Sequence, residues 1–242
     1  MNLLLLALSP AIALAVYFYH KDKYEKEPLQ LLIKAFLWGF FGSISVLIAE
    51  MIMSFLIRPV ESHLLKIFLE SFFVAGLIEE LFKFLVFYFL IFFNDEFDEP
   101  YDGIVYAVMV SLGLAAFENI GYVLGAYLNL GILAATATGV MRAMLSVPAH
   151  AFFGAIMGYY LGLAKFASDE DARSTHIITG VGLAVVLHGL FDFFIFSHTG
   201  LGILFMLCLL VFCWRLSLRA IELHVDGSPF GRKEESPPGP LP

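Results

Sequence analysis

Charged side chains are scarce in this chain. Its 242 residues include only 14 Lys and Arg and 22 Asp and Glu, 15% in all, against about 25% in a soluble globular domain. With 60% apolar residues, there is too little polar side chain to cover a surface that faces water. Basic residues are the scarcest, and the formal net charge is −8. That balance excludes a nucleic-acid partner held through phosphate contacts. The two cysteines, Cys208 and Cys213, lie five apart in one apolar run, which excludes a disulfide framework. An internal repeat and a second domain are both lacking. So is the alternating ten-residue pattern of a membrane β-barrel. Only helices and closed barrels satisfy their backbone groups in lipid, so the fold class is an all-α, polytopic membrane helical bundle.

What is present is apolar length. Measured against the roughly 20 residues that span a bilayer, about seven (seven to eight) stretches qualify: Leu3–Tyr19, Leu29–Ile57, Leu64–Phe93, Gly103–Leu128, Arg142–Phe166, Ile177–Ser197 and Gly200–Leu218. Residues 129–141 are small and weakly apolar, and read equally as a loop, a re-entrant turn or the start of the fifth helix. The first stretch lacks a basic leader and a small-residue cleavage site, which predicts a retained helix. Residues 1–218 form the membrane domain, and 219–242, polar and Pro-rich, read as a flexible tail.

Orientation follows from Lys and Arg. With the N-terminus outside, the inner segments carry Lys21, Lys23, Lys26, Lys165, Arg173, Arg215, Arg219, Arg232 and Lys233, and the outer ends carry Arg58, Lys66 and Arg142. The bias predicts an outside N-terminus and a cytoplasmic C-terminus.

Several ionisable residues fall inside the apolar stretches: Glu79, Glu80, Lys83, Glu118, His150, His188 and Asp192. Each charge at the bilayer centre costs roughly 2.5–3.5 kcal/mol on the lenient insertion scale, so intramembrane ionisable groups mark candidate functional sites. At about 1.5 Å of rise per residue, Glu79, Glu118, His150 and Asp192 each lie about 21–24 Å from the inner end of their own helix, and His188 about 17 Å. Four helices of alternating direction thus present polar groups near one level. Glu79 and Lys83 are spaced i,i+4, Glu80 and Lys83 i,i+3, and His188 and Asp192 i,i+4, so each set shares a helix face. Gly113, Gly121, Gly154, Gly158, Gly162 and Gly189 allow close helix approach.

Two adjacent glutamates with two histidines can activate water. A carboxylate serves as general base and then acid, or His150, His188 and Glu80 hold Zn²⁺ with a position open for water. The residues also admit structural roles: an interhelical ion-pair cluster for Glu79, Glu80 and Lys83, a packing pair for His188 and Asp192, a helix-break cap for His150 beside Pro148, and a pairing role for Glu118. Glu50 and Glu70 lie nearer the outer ends and read as solvated, as does the acidic loop of Asp95, Glu96, Asp98, Glu99 and Asp102. The same residue types also suit a proton-coupled transporter, a haem protein ligated by His150 and His188, or a non-catalytic scaffold.

Five stretches carry a resemblance: YFYHKDKYEKEP at 17–28, EELFK at 79–83, FDEPYDGIVYAVMVSLGLAAFENIGY at 97–122, PAHAFFGAIMGYYLGLAKF at 148–166 and LHGLFDFF at 187–194. In their order and spacing the chain resembles the PrsW family of membrane proteases, distant relatives of the CAAX-protease and bacteriocin-processing enzymes. The resemblance implies an intramembrane endopeptidase of a bacterial cytoplasmic membrane. Such an enzyme makes the site-1 cut in a single-span, anti-sigma-factor-like regulator during envelope stress, with the lipid bilayer as its medium. It maps the di-glutamate motif onto Glu79 and Glu80 and the third-motif histidine onto His188, with Asp192 where CAAX proteases commonly carry Asn. Lys83, Glu118, Asn119 and Asp192 are then supporting or orienting residues. The relatives' second motif, Phe followed four residues later by His, does not recur, since Phe117 is followed by Gly121; Glu118 or His150 is left for that role. A metal-free glutamate mechanism and a zinc mechanism use the same residues.

Overall fold

A computed structural model of the chain describes residues 2–231. Its helices are α1 (Leu3–Lys21), α2 (Leu29–Ile57), α3 (His63–Leu69), α4 (Ile78–Leu90), α5 (Pro100–Leu130), α6 (Ile132–Met144), α7 (Ser146–Lys165), α8 (Glu170–Phe196) and α9 (Gly200–Asp226). Among the described residues there is no strand. Six helical rods among those residues are long and apolar enough to cross a membrane, with α6 and α7 counted as one. The expected third span is a continuous rod from His63 to Leu90 interrupted by a π-helical segment, Glu70–Leu77. Of residues 129–141, ambiguous from composition, 129 and 130 end α5 and 132–141 are helix within α6, and only a kink at Leu145 separates α6 from α7.

The protein is an integral membrane helical bundle built around α5. Its start is fixed by Pro100 in the first turn and by a capping box in which Glu99 and Asp102 satisfy each other's backbone N–H. Every residue from Tyr101 to Ala116 is buried, and α7, α2, α1 and α6 pack around it. Two of these contacts are backbone on backbone. A Cβ at Gly39 or Gly113 would collide with the carbonyl of Val110 or of Phe36, which brings α2 onto α5. A Cβ at Gly103 would meet Gly158, bringing α7 onto α5. Small residues do this in lipid because close packing, not water exclusion, drives helix association there. Gly121 departs from the expected pattern: nothing lies within 4 Å of its would-be Cβ. The perimeter is apolar side chain, with Phe89 79% and Leu133 82% exposed, as a lipid-facing surface requires.

Composition assigned 219–242 to a flexible tail, but α9 continues through Asp226 and buries Ala220, Ile221 and His224. The rest of that tail, from Arg232, lies outside the described residues. The acidic loop also differs from the solvated turn expected of it. Asp95, Glu96 and Asp98 are exposed, whereas Glu99 and Asp102 are buried. Asp102 accepts the backbone N–H of Asp98 and Glu99 at 3.0 and 2.8 Å, Ser228 donates to Glu99, and Tyr106 donates to Glu27. These bonds tie the loops at one end of the bundle together.

Candidate active site

The π-helical segment delivers Glu79 and Glu80 into the first turn of α4. Such segments widen the helix by one residue per turn and recur at functional sites. Here the segment also makes close contact with α8: a Cβ at Gly76 would lie 3.1 Å from the backbone of both Val185 and Gly189. That approach seats His188 against the di-glutamate pair. Its Nδ1 lies 2.7 Å from Glu80 Oε1, its Nε2 3.9 Å from Glu79 Oε1 and 3.5 Å from Asp192 Oδ2. Phe153 stacks on the imidazole at 25° between planes and 5.2 Å between centres, which fixes the ring's tilt.

Lys83, one turn on from the glutamates, reaches both. Its Nζ is 2.6 Å from Glu80 Oε1 and 3.6 Å from Glu79 Oε2, and 3.1 Å from His150 Nδ1. All of these groups are buried, so each charge depends on its neighbours. Breaking such a set by removing one partner leaves an uncompensated buried charge. The other face of His150, Nε2, lies 3.2 Å from Glu118 Oε2. Glu118 receives Arg142 at 2.8 Å, and Arg142 Nε donates to Asn119 Oδ1 at 2.6 Å while its guanidinium lies over Tyr122. Asn119 in turn donates to the Ala7 carbonyl.

Glu79, Glu80, His150 and His188 therefore converge, with Lys83 between them and Asp192 behind His188. Glu118 stands one contact away and Asn119 two, serving Arg142 rather than the glutamates. Arg142, expected among the outer-end charges, is instead the counter-ion of Glu118, facing inward from α6. Glu50, expected to be solvated, lines the same cavity as Glu79. The cavity, about 870 Å³, is walled by α7, α8 and α9 among others, reaches His198 at one end of the bundle, and exposes Glu79, His150, His188 and Asp192. Glu80 does not line it: it stands behind Glu79, fully enclosed.

The donor set suits a metal ion. One atom from each of Glu79, Glu80, His150 and His188 lies within 4.8 Å of the others, and Glu79 Oε2 and Glu80 Oε2 have no hydrogen-bond partner among the described residues. Two imidazoles and two carboxylates are zinc chemistry. The Lys83 ammonium already holds a Glu80 oxygen, so a bound dication would share that carboxylate with Lys83.

Comparison with known proteins bears on this geometry. A sequence model described as PrsW family intramembrane metalloprotease matches residues 27–216. The chain belongs to the PrsW family. Its similarity to curated relatives runs nearly end to end: 35% identity to Protease PrsW of Geobacillus kaustophilus, covering 98% of this chain and 97% of the relative. Protease PrsW of Clostridioides difficile is 34% identical over 94% and 93%, and that of Bacillus subtilis 35% over 88% and 90%. No solved structure matches. This PrsW-family chain is thus a membrane peptidase, and the four converging donors form a possible metal-binding group within it.

Proposed function

We propose that the protein is an intramembrane endopeptidase that makes the first, site-1 cut in a single-span regulatory protein of the anti-sigma-factor type. The observation that carries this reading is the Glu79 carboxylate, which lines the 870 Å³ cavity beside both imidazoles with one oxygen lacking a hydrogen-bond partner. Water in that cavity is the nucleophile. Glu79 takes a proton as the water oxygen bonds to the peptide carbonyl carbon, and returns it to the nitrogen as the C–N bond breaks. His150 and His188 face the same space and stabilise the developing oxyanion. Glu80 is a positioning residue: it holds His188 by Nδ1 and ties it to Lys83. Asp192 steadies the opposite side of that ring.

Glu80, His150 and His188 would hold a zinc ion and leave Glu79 free as base; the metal would polarise the carbonyl and acidify the water. The Lys and Arg bias supports an outside N-terminus in a bacterial cytoplasmic membrane. The cavity then lies in the outer half of the bilayer, since it opens toward the end opposite the 22–28 loop.

Replacing Glu79 by Gln or His188 by Ala is expected to lower cleavage of a co-expressed single-span substrate by at least ~100-fold, and replacing Glu80 by Gln by about 10–100-fold. Proteomics of membrane-protein N-termini in wild type and E79Q cells identifies the substrate, and elemental analysis of the purified protein counts zinc. Full activity in all three variants sinks the assignment.

A further inference from the structure

A second cavity of about 800 Å³ lies between α2, α5 and α6. It arises where two helices separate. At Gly39 and Gly113, α2 and α5 touch backbone to backbone, but farther along α5 a Cβ at Gly121 or Gly125 would meet nothing within 4 Å. The divergence leaves a cleft whose α2 wall is Ser43, Val46, Leu47 and Glu50, an i, i+3, i+4, i+7 stripe on one helix face. Glu50, Glu118, Tyr122 and Thr138 line this cleft and the catalytic cavity alike, so the two form one continuous path.

The carboxylates at the junction differ in their partners. Glu118 is neutralised by Arg142 and faces His150. Glu50 makes no hydrogen bond or ion pair among the described residues, although it stands in a mostly apolar wall. Nearby cations are committed elsewhere: Arg142 to Glu118 and Asn119, Lys83 to Glu79 and Glu80. An anion in an apolar wall is unfavourable unless something pairs with it, and no described side chain does.

We propose that the cleft is a substrate subsite that takes an extended, otherwise apolar segment of the substrate polypeptide, with Glu50 receiving one Lys or Arg side chain at a fixed distance from the cut bond. The inference rests on the hydrolytic reading of Glu79 and His188 and adds a specificity to it. Two features select this occupant: the unpaired carboxylate calls for a cation, and continuity with the catalytic cavity makes the occupant the same chain that is cut. Gly121 and Gly125 leave room for its backbone along α5.

The test uses purified full-length protein in phosphatidylethanolamine/phosphatidylglycerol vesicles. It is given a library of single-span reporters with randomised outer juxtamembrane segments, and the products are sequenced. Wild type is expected to enrich Lys or Arg at one position relative to the cut. Glu50→Gln should reduce that enrichment at least tenfold, Glu50→Lys should shift it to Asp or Glu, and Glu50→Asp, which keeps the charge, should keep it. No basic enrichment in wild type, an unchanged pattern in E50Q, or uniform loss of all products in E50Q without a change of pattern overturns the proposal. E79Q, run alongside, separates the two claims. Undiminished cleavage by E79Q fails the hydrolytic reading itself, whereas lost cleavage in E79Q with an unchanged E50Q pattern fails only the subsite.

Discussion

His188 Nδ1 and Glu80 Oε1 lie 2.7 Å apart although 108 positions separate them in the chain. The pair joins α4 to α8, and because Glu80 also accepts Lys83, the imidazole is anchored to a carboxylate whose own position is fixed. Replacing Glu80 by Gln keeps the shape but removes the charge. Loss of an outer partner of a catalytic imidazole costs typically 10–100-fold in activity or metal affinity. The expected signature is a fall in kcat with KM nearly unchanged, measured with any substrate that the N-terminal proteomics identifies.

Lys83 carries the opposite charge to two enclosed glutamates. Exchanging it for Met preserves the aliphatic stem and leaves Glu79 and Glu80 without their cation, which is expected to destabilise the bundle by about 3–5 kcal/mol. Thermal unfolding in detergent, compared with wild type, reads this directly. A K83M melting curve that superposes on wild type would show that the carboxylates do not depend on the ammonium.

The glycines of α5 give a contrast within one helix. G113A forces a methyl group onto the Phe36 carbonyl and must part α2 from α5, an overpacking cost of typically 1–3 kcal/mol. G121A places its methyl group in open space and should melt within about 0.5 kcal/mol of wild type, as substitutions away from packed features do.

The loop at residues 22–28 makes stability depend on pH. Burial pushes the Glu27 carboxyl up from 4.5 to about 7, helped by Asp22 and Asp98 and opposed by hydrogen bonds from Asp102 and Tyr106. Burial likewise raises Asp22 to about 6, against the pull of Lys26. A raised folded pKa means that the folded state binds the proton more tightly. The contribution is therefore full below the unfolded values near 4, and is lost as pH climbs through about 6 and 7. Melting temperature should fall from pH 5 to pH 8, and E27Q should flatten the upper part of that fall.

The seven apolar stretches and the four converging donors were legible in the sequence for one reason: a charge in lipid is so costly that its presence is itself a signal. Arg142 and Glu50 were harder to read. Arg142 borders a weakly apolar segment whose helical state was open, so it counted as an end charge. Its clue was that no other Lys or Arg occurs between Lys83 and Lys165, which makes it the natural partner of Glu118. Glu50 lies seven residues from the end of α2, where depth alone suggests water. Only the divergence of α2 from α5 turns it inward. The burial of Glu99 and Asp102 depends on Ser228 and on the 22–28 loop, contacts that no local pattern records.

The π-helical turn at Glu70–Leu77 has a consequence for how this protein can change. Each residue of an α-helix advances about 100° around the axis, and a π turn holds one residue more than an α turn. Deleting any one residue between 70 and 77 would let the rod relax to an ordinary helix with its two ends still nearly in phase, since a π turn absorbs one extra residue, but without the widened turn that sets Gly76 against α8. The segment thus carries one extra residue while α3 and α4 both keep a face toward α8, and the width of that turn, rather than the phase of the rod, is what a deletion would remove.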